Sequence, residues 1–525
     1  MSDSARTIQR KVVVAACFGT FLEWYDFLTF ASLATYFSLL FFPPDNPVAA
    51  LLASLATFGV GMIVRPLGAA LFGSLGDRLG RRTVFLVTIV LMGGATFLVG
   101  LLPTYAQIGL LAPALLLLLR LLQGLAVGGE IGGAAVYLTE HAPEGRRGLY
   151  TSVLQLMGPL GMMASTAQVL LLQGWLSDAD FRAWGWRIPF LLSALLLAIS
   201  IKSRLNLHES PVFSQLRAKN ALAKAPLREC FRDRHTLGRM ALLFFCISAG
   251  GSLLFFSSQV YSGVFLKNVV KLDAGTAGSL VLLATLALFP LTLLCGALSD
   301  RIGRRPVLLA GLLLGAISLL PVFHGLMHYG NPALERFNRV VPITLHGENC
   351  AYSPFAAARN DCERYQEHFA RLGLSYRLQA GPPVPVVQVG HAAAAQPLNG
   401  FAPAALENAL KAAGWPARAD PARINYPMLL LLLLIPVIAV ALITGPQTAT
   451  LAELFPARTR YSAVALPHNL SAGWIGGLSP FMVTYLGVLA GQADAGLWYP
   501  AGLLGVAAVT GLFFLPEVAN RPLET

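Results

Sequence analysis

A short sequence occurs twice in this chain, and the repeat limits the possible folds more than any other feature. Residues 73–86 read GSLGDRLGRRTVFL and residues 296–309 read GALSDRIGRRPVLL, which agree at nine of fourteen positions. A second pair of related sequences begins at Leu138 and at Leu451. Because long apolar stretches flank each copy, we expect two homologous membrane halves. Membrane proteins built from two such halves place their binding site near the middle of the bilayer.

The composition indicates a chain that crosses a membrane many times. Of 525 residues, 55% are hydrophobic and only 12% are charged, unlike a soluble protein with an ordinary surface. A helix needs roughly 20 apolar residues to cross a bilayer. The chain contains twelve such stretches: residues 12–42, 49–74, 83–102, 109–140, 148–173, 187–205, 239–266, 276–298, 306–326, 427–450, 461–489 and 496–516. The predicted fold class is an all-α membrane protein with two pseudo-symmetric six-helix bundles. No A-x-A-like cleavage site follows the first stretch, so we expect that stretch to be retained.

The spacing of the two repeats locates an insertion in the second half. The first pair is offset by 223 residues and the second by 313, so the second half has 90 additional residues between its copies. We therefore assign an N-terminal bundle, a cytoplasmic connector with an amphipathic helix, a C-terminal bundle in two pieces, and an insertion outside the membrane. Their ranges are 1–205, 206–238, 239–326 with 427–525, and 327–426.

The insertion is predicted to be a small α+β unit between helices 9 and 10. Its ten prolines and many polar residues exclude a further membrane span. Proline in the first turn and glycine just past the end are typical of helix boundaries. The expected elements are a helix from Ser353-Pro354 to Gly373, strands at Ser375–Ala380 and Val384–Gly390, and a helix from Pro403 to Lys411 that closes at Gly414.

The net charge of +12 follows membrane topology and does not indicate nucleic-acid binding. Of 38 Lys and Arg residues, 23 lie in segments that alternation of the spans places on one side. The opposite short loops contain only four: Arg182, Arg187, Lys267 and Lys271. Because short cytoplasmic loops are enriched in Lys and Arg, we expect both termini to be cytoplasmic.

Several kinds of enzyme and cofactor site are absent from the sequence. No G-x-x-x-x-G-K-[ST] or H-E-x-x-H motif occurs, and the six cysteines show no metal-ligand spacing. No nucleophile–base constellation is visible either. We therefore expect neither catalysis nor a bound cofactor or metal, and any transport has to be driven by an ion gradient.

The repeated G-x-x-x-D-R-x-G-R-R resembles the signature of the major facilitator superfamily. Other sequences resemble its metabolite:proton symporter branch, which includes permeases for proline/betaine, 2-oxoglutarate, citrate and shikimate. They are Gly19-Thr-Phe-Leu-Glu23-Trp-Tyr-Asp26-Phe27, Arg65-Pro-Leu-Gly68, Arg120-Leu-Leu-Gln123-Gly124, Gly128-Gly-Glu130-Ile-Gly-Gly133, Trp184-Gly-Trp-Arg187-Ile-Pro-Phe190 and Glu209-Ser-Pro211. The resemblance implies a bacterial inner-membrane protein whose bundles rock about a central cavity. It further implies a small metabolite and protons as partners, with function as a monomer.

The repeated sequence is expected to form a cytoplasmic gate. Asp77 opens a turn from which a carboxylate can meet a helix N-terminus of the other half, where the helix dipole is favourable by about 0.3–1 kcal/mol. The arginines that follow stand at the depth of Glu140, and the second copy repeats the arrangement. The predicted gate residues are Asp77, Arg78, Arg81, Arg82, Glu140, Asp300, Arg301, Arg304, Arg305 and Glu453. The alternative is that the arginines only set topology.

Ionisable groups within a span are costly and therefore mark candidate functional residues. Glu23 and Asp26 share a face of helix 1. Glu23 lies at nearly the same depth as Arg65 on helix 2, so we expect these two to pair. The pair could equally be purely structural.

Helix 4 contributes Arg120, Gln123 and Glu130. Arg120 has no evident acidic neighbour at its depth, and an unpaired guanidinium facing a cavity suits a carboxylate substrate. The alternative is a bond to a backbone carbonyl or to helix 1. Glu130 lies among glycines that allow close helix contact, where we expect a carboxylate able to hold a proton.

The second half contributes polar candidates to the substrate or proton pathway. They are Gln259 and Tyr261 on helix 7, and His468 and Asn469 on helix 11. A histidine titrates near neutral pH and can carry a proton, although a hydrogen-bonding role is the more common one.

Cys350 and Cys362 are predicted to form a disulfide. Both lie in the insertion, which the charge distribution places outside, where an oxidising compartment preserves such bonds. The alternative is two separate buried thiols.

The leading functional hypothesis is proton-coupled uptake of a small carboxylate or zwitterion. Two alternatives remain open: proton-driven efflux, and a transporter-derived sensor that uses the insertion as its binding module.

Overall fold

The computed structural model describes residues 3–42, 47–205, 207–348, 350–352, 358–390, 398–492, 494–519 and 521–523. Within these residues, twelve helical segments are long and apolar enough to cross a membrane, as the sequence predicts. Spans 1 to 12 are Val12–Phe30, Gly59–Leu79, Arg81–Leu101, Leu111–His141, Arg147–Trp175, Gly185–Leu205, Arg234–Asn268, Ala274–Ile302, Arg304–Gly330, Tyr426–Glu453, Arg460–Ala490 and Ala495–Phe514. Spans 1 and 2 belong to the longer helices Asp3–Phe41 and Pro47–Leu79. Short helices flank the spans at Tyr105–Ile108, Asp178–Ala183, Pro211–Ala218 and Pro226–Arg232.

Each repeated sequence forms the tight turn between two antiparallel spans. Gly80 and Gly303 occupy this turn with φ angles of +116° and +101°, a conformation that favours glycine. A Cβ atom at Gly80 would also collide with the carboxylate of Glu209, and one at Gly303 with that of Glu517. The glycine of the repeat is therefore required for two reasons in both halves.

The spans pack as two groups of six, spans 1–6 and spans 7–12. Spans 2 and 4 pack closely in the first group, and span 10 packs against spans 8 and 9 in the second. Span 2 meets span 11, and span 5 meets spans 8 and 10, across the interface between the groups. Spans 7 and 11 contain π-helical turns at Leu243–Ser248, Phe256–Tyr261 and Ser471–Gly476. Such turns occur frequently at functional sites.

The insertion has a four-stranded sheet in the order β2-β1-β3-β4. Strand β1 pairs in parallel with β2 and antiparallel with β3, which pairs antiparallel with β4. Leu345, Tyr365 and Phe369 are fully buried between the sheet and the helices. The elements are β1 Ile343–Gly347, β2 Arg377–Ala380, β3 Val386–Val389 and β4 Leu398–Asn399, with helices Pro332–Val340, Asp361–Leu372 and Pro403–Ala412.

One helix of the insertion begins later than the sequence predicts. The predicted start, Ser353-Pro354, lies outside the described residues, and residues 358–360 are not helical. The helix begins at Asp361, because the side chain of Asn360 accepts the backbone N–H of Glu363 and caps it. Gly373 ends it at a φ of +64° as expected. β1, β4 and the helix at Pro332 are additional to the predicted elements.

A disulfide joins Cys350 to Cys362, the pairing that the sequence predicts, with Cα atoms 5.4 Å apart. Cys362 is in the first turn of its helix. The other four cysteines are buried and free: Cys17, Cys230, Cys246 and Cys295.

The insertion is docked onto the second half by backbone hydrogen bonds. The N–H of Tyr376 donates to the carbonyl of Gly491 at 2.8 Å, and the N–H of Ala419 donates to that of Lys271 at 3.0 Å. Both acceptors are in loops between spans of the second half. Below, "insertion side" means the membrane side of this unit, and "basic side" the opposite one, where residues 76–82 and 301–305 lie.

Candidate functional site

A cavity lies between the two halves. Spans 1, 2, 4 and 5 supply seven of its lining residues, and spans 7, 8, 10 and 11 supply the other nine. The rings of Trp24 and Phe255, from opposite halves, are in contact at its wall, with centroids 5.5 Å apart. Its polar side chains are Thr20, Arg65, Gln155, Ser252, Thr444, Gln447 and His468. Among the residues that the structure describes, Arg65 is therefore the one lining group that is permanently charged.

Arg65 pairs with Glu23, as their matching depths predict. The guanidinium nitrogen lies 3.5 Å from a Glu23 carboxylate oxygen, and both side chains are buried. Neither oxygen of Glu23 accepts a hydrogen bond within the described part of the chain. This carboxylate consequently depends on Arg65 alone for compensation of its charge.

Arg120 is not the unpaired cation that the sequence suggests. Its guanidinium lies 3.9 Å from Asp26 and 3.4 Å from the ring centroid of Phe30. Gln123 donates to Asp26 at 2.9 Å and to Thr96 at 2.9 Å. The side chain of Asp26 faces span 4. The alternative prediction, in which Arg120 bonds to helix 1, is therefore correct. None of these side chains lines the cavity.

Glu130 also has a cationic partner that the sequence analysis missed. Arg204, at the end of span 6, makes a close ion pair with it, and Thr88 donates a hydrogen bond at 2.8 Å. The carboxylate is therefore ion-paired and does not stand alone among the glycines, and its capacity to hold a proton stays a prediction.

The four polar candidates of the second half have separate environments. His468 lines the cavity and shares a hydrogen bond of 2.8 Å with Ser248. Asn469 donates to the carbonyl of Gly128 at 2.9 Å and so ties the halves together. Gln259 accepts from Thr285 at 2.5 Å. Among these four, only His468 reaches the central cavity, while Tyr261 lies closer to the insertion.

The two aspartates of the repeat each cap a helix of the opposite half. Asp77 accepts the backbone N–H of Tyr461 at 3.2 Å and that of Ser462 at 2.9 Å, in the first turn of span 11. Asp300 accepts the N–H of Gly148 at 2.7 Å and that of Leu149 at 2.9 Å, in the first turn of span 5. The predicted contact with a helix N-terminus is therefore present in both copies.

Ion pairs extend each aspartate contact into a network that we call the latch. In the first copy, Arg81 lies 3.2 Å from Asp77 and 3.8 Å from Glu140. Arg460 of the other half approaches Glu140 to 2.8 Å. In the second copy, Arg304 lies 2.7 Å from Asp300 and 3.1 Å from Glu453, and Arg147 of the first half lies 3.5 Å from Glu453. The latch holds the halves together at the basic side.

The remaining arginines of the repeats do not pair with the predicted acids. Arg82 donates to the carbonyl of Leu205 at 2.7 Å, and Arg305 donates to that of Leu512 at 2.6 Å. Both acceptors belong to the same half as the arginine that donates to them. Arg78 and Arg301 are exposed at the ends of their spans.

Two glutamates cap the helices that follow the turns. Glu209 accepts the backbone N–H groups of Arg81 and Arg82 at 3.1 and 3.3 Å. Glu517 accepts those of Arg304 and Arg305 at 2.9 and 3.1 Å. Burial raises the pKa of Glu517, but the N–H groups of residues 519, 304, 305 and 518 outweigh it and lower that pKa overall.

Residues 521–523, which follow span 12, contact two arginines of the latch. The carbonyl of Arg521 accepts a hydrogen bond from Arg147 at 2.7 Å, and that of Leu523 accepts one from Arg460 at 2.7 Å. Arg147 and Arg460 occupy corresponding places in the second repeated sequence. That correspondence was a signal in the sequence that could have identified both as latch residues.

Several neutral polar residues of the cavity were not predicted from the sequence. Gln155, Thr444 and Gln447 are neutral polar groups within apolar spans, and Gln155 donates to Thr448 of the other half at 2.9 Å. Their isolation in apolar surroundings was the available signal. As a whole, the cavity presents one guanidinium that can bind an anion, with the carboxylate of Glu23 next to that guanidinium.

Comparison with known proteins places this geometry in a family. Residues 12–334 match the family described as sugar (and other) transporters. The chain is 39% identical to the inner membrane metabolite transport protein YhjE of Escherichia coli K12, over 70% of this chain and 84% of that protein. It is 36% identical to the alpha-ketoglutarate permease of the same organism, over 63% of this chain and 74% of that protein.

A solved structure agrees with the fold over almost the full length. The major facilitator superfamily proton:xylose symporter XylE superimposes with a TM-score of 0.60, covering 99% of this chain and 98% of that chain. The sequences are only 16% identical, so this likeness concerns the fold alone.

Proposed function

The chain belongs to the major facilitator superfamily of transporters, and from this premise we propose that it takes up a small carboxylate or zwitterionic metabolite together with protons. The mechanism is alternating access, in which the two halves rock about the central cavity. Its relatives are permeases and transporters, in agreement with the expectation that the chain is not an enzyme. It is a multi-pass inner-membrane protein, as those bacterial relatives are.

The observation that carries the proposed substrate class is the position of Arg65. It is the one permanently charged group of the cavity lining within the described residues. A guanidinium matches the planar geometry of a carboxylate and can bind it through two parallel hydrogen bonds. Trp24 and Phe255 supply apolar walls for the rest of a small molecule. Two relatives, an alpha-ketoglutarate permease and a shikimate transporter of Escherichia coli K12, support the same substrate class.

The proposed proton carrier is Glu23. A substrate carboxylate that binds Arg65 competes with Glu23 for the same guanidinium, which lies 3.5 Å from it. An uncompensated carboxylate inside a membrane is costly. Glu23 therefore takes up a proton when Arg65 turns to the substrate, and releases it when the substrate leaves. We assign Asp26 and Glu130 to structural ion pairs, because each lies beside an arginine of its own half.

We place the basic side of the protein in the cytoplasm. The excess of Lys and Arg in the short loops and connector on that side supports this orientation. The insertion then lies outside, in a compartment where its disulfide persists. The latch closes the cytoplasmic side in this conformation, so the conformational change of transport requires it to open.

Uptake into proteoliposomes under an imposed pH gradient tests the proposal. The panel of labelled compounds covers dicarboxylates, betaines and amino acids, with an equal gradient of opposite sign as reference. We expect accumulation of a carboxylate or zwitterion when the interior is alkaline. Accumulation only in the reverse gradient would instead establish proton-driven efflux. Binding without accumulation in either gradient would establish a sensor.

Two matched variants separate the roles of the two buried arginines. Arg65→Lys keeps the charge but loses the planar fork, so we expect a large rise in KM with the protein still folded. Arg120→Lys makes the same chemical change outside the cavity lining, and we expect it to lower thermal stability more than uptake. If Arg120→Lys alone abolished uptake, the assignment of Arg65 as the substrate anchor would be wrong.

A further inference from the structure

A second cavity lies at the basic side of the second half, between the start of span 7 and the end of span 12. It is open to the surface. Its lining includes Arg234, Arg239 and Arg521, together with the aromatic rings of Phe245 and Phe514. It does not adjoin the central cavity, and neither transport nor the latch uses its arginine side chains. We propose that this cavity binds the headgroup of an anionic phospholipid.

The charge of the cavity matches an anion. Its lining contains three arginines and His235, and no carboxylate among the described residues. Arg239 donates one N–H group to the carbonyl of Leu454 at 2.8 Å, which leaves its other N–H groups available to an anion. Arg234 and Arg521 are exposed. A phosphate diester can therefore be approached by guanidinium groups from two sides.

The two carboxylates that adjoin the lining residues in sequence, Asp233 and Glu517, already accept hydrogen bonds from backbone N–H groups. Asp233 accepts the N–H of His235 at 3.3 Å and both the N–H and the hydroxyl of Thr236, at 3.0 and 2.6 Å. Glu517 accepts backbone N–H groups at the start of span 9, as described above. Both acids are thereby held in helix caps, which leaves the arginines of the cavity to an external anion.

The apolar wall distinguishes a lipid from a free phosphate ion. Phe245 is 54% exposed and Phe514 is 72% exposed, and both belong to membrane spans. Arg234 is the first residue of span 7 and Phe514 the last of span 12. Arg234 and Phe514 therefore stand at the same membrane level, near the headgroups, while Phe245 lies 11 residues further into span 7, at the depth of the acyl chains. A soluble anion would make no use of these rings.

The strength expected of such a site is moderate. Each Lys or Arg close to an anionic membrane surface strengthens attraction by about fivefold. Loss of two arginines from the cavity should therefore weaken binding of an anionic lipid by about 10- to 30-fold. A zwitterionic lipid of equal chain length should bind the unaltered protein far less tightly than the anionic one.

The test measures lipid binding to the purified full-length protein by native mass spectrometry. The probes are phosphatidylglycerol and phosphatidylcholine of the same chain length, with inorganic phosphate as a third ligand. The test variant combines Arg234→Gln with Arg521→Gln. Its matched control combines Arg217→Gln with Lys219→Gln, which removes two exposed charges from the same side outside the cavity.

We expect the test variant to lose phosphatidylglycerol binding by about 10- to 30-fold, while the control changes by less than about twofold. Phe514→Ser keeps all three arginines and should weaken binding of the lipid but not of inorganic phosphate. Equal lipid affinity in the test variant and its control would overturn the proposal. Unchanged lipid affinity in Phe514→Ser, with phosphate bound as tightly as lipid, would also overturn it and would identify a site for soluble phosphate.

Discussion

Replacing Asp77 by asparagine should open the latch without unfolding either half. The carboxylate accepts two backbone N–H groups of span 11 and the hydroxyl of Ser462 at 2.8 Å. It also pairs with Arg81 at 3.2 Å. All these donors except Arg81 belong to the second half, so the change acts on the closed arrangement of the halves more than on the stability of each.

The size of the effect follows from the number of donors. Asparagine retains one acceptor oxygen, and its amino group would face the backbone donors of span 11. Hydrogen bonds to a charged group contribute about 1.5–3 kcal/mol each, and a helix N-terminus adds up to about 2 kcal/mol in a partly buried geometry. We expect the closed state to lose a net of about 2–4 kcal/mol, roughly half of the summed contributions, because water replaces some of the lost hydrogen bonds. This loss shifts the equilibrium towards the open state by about 30- to 700-fold.

Alkylation of a cysteine in the central cavity can measure that shift. Thr444 lines the cavity, and Thr444→Cys places a thiol there once the four free cysteines have been replaced. A membrane-impermeant maleimide applied from the basic side should react faster when Asp77→Asn is present. Asp300→Asn, the same change in the second repeat, should have a similar effect.

Asp233→Asn provides the matched control. Asp233 also caps a helix N-terminus through backbone donors, but its helix belongs to the same half. We expect no change in the alkylation rate for this variant. Equal rates for Asp77→Asn and Asp233→Asn, with both proteins folded, would refute the idea that the aspartates of the repeat hold the halves closed.

Three further predictions concern the buried ion pair, the disulfide and an acidic cap. Glu23→Gln and Arg65→Gln should each lower the free energy of unfolding by about 3–5 kcal/mol, because each breaks a buried ion pair. The double variant should unfold at a higher temperature than either single variant. Strictly additive losses would mean that the pair contributes nothing. Cys362→Ser should destabilise the insertion by about 3 kcal/mol, measured by limited proteolysis, whereas Cys230→Ser should leave its protease resistance unchanged. Because the pKa of Glu517 is lowered, its contribution to stability is present at neutral pH and is lost as the pH falls below about 4.3 and through the lowered pKa. A Glu517→Gln variant should lack this part of the dependence of melting temperature on pH. Identical pH profiles for the variant and the unaltered protein would contradict the prediction.

The sequence was sufficient for the architecture because the two kinds of evidence for it are local. Apolar stretches of sufficient length define the spans, and a repeated turn sequence defines the two halves. The Asp77 and Asp300 contacts were also predictable, since a carboxylate in a tight turn has few partners other than a neighbouring helix N-terminus. The same reasoning succeeded for Glu23 and Arg65, whose depths could be counted along adjacent spans.

The partners of Arg120 and Glu130 could not be obtained by counting depths. Both depend on how far one span is rotated relative to its neighbour, which the chain does not encode locally. Asp26 faces span 4 instead of the cavity, and Arg204 reaches Glu130 from the end of span 6. In the insertion, the start at Pro403 and the end at Gly373 follow the prediction, whereas the Asn360 cap that begins the helix at Asp361 was not predicted.

The latch is symmetric whereas the central cavity is not, and this contrast fits a transporter. Each half supplies one aspartate to cap a helix of the other, and each supplies a glutamate that an arginine of the other half approaches. Closing the basic side is a task that two equivalent halves can share. The buried acids and arginines at mid-membrane, in contrast, all belong to the first half within the described residues, while the second half lines the cavity with Ser252, Thr444, Gln447 and His468. A small asymmetric substrate needs one charged wall and one neutral polar wall. After the duplication, both halves therefore kept the residues that close the basic side, while only the first half kept ionisable groups at mid-membrane.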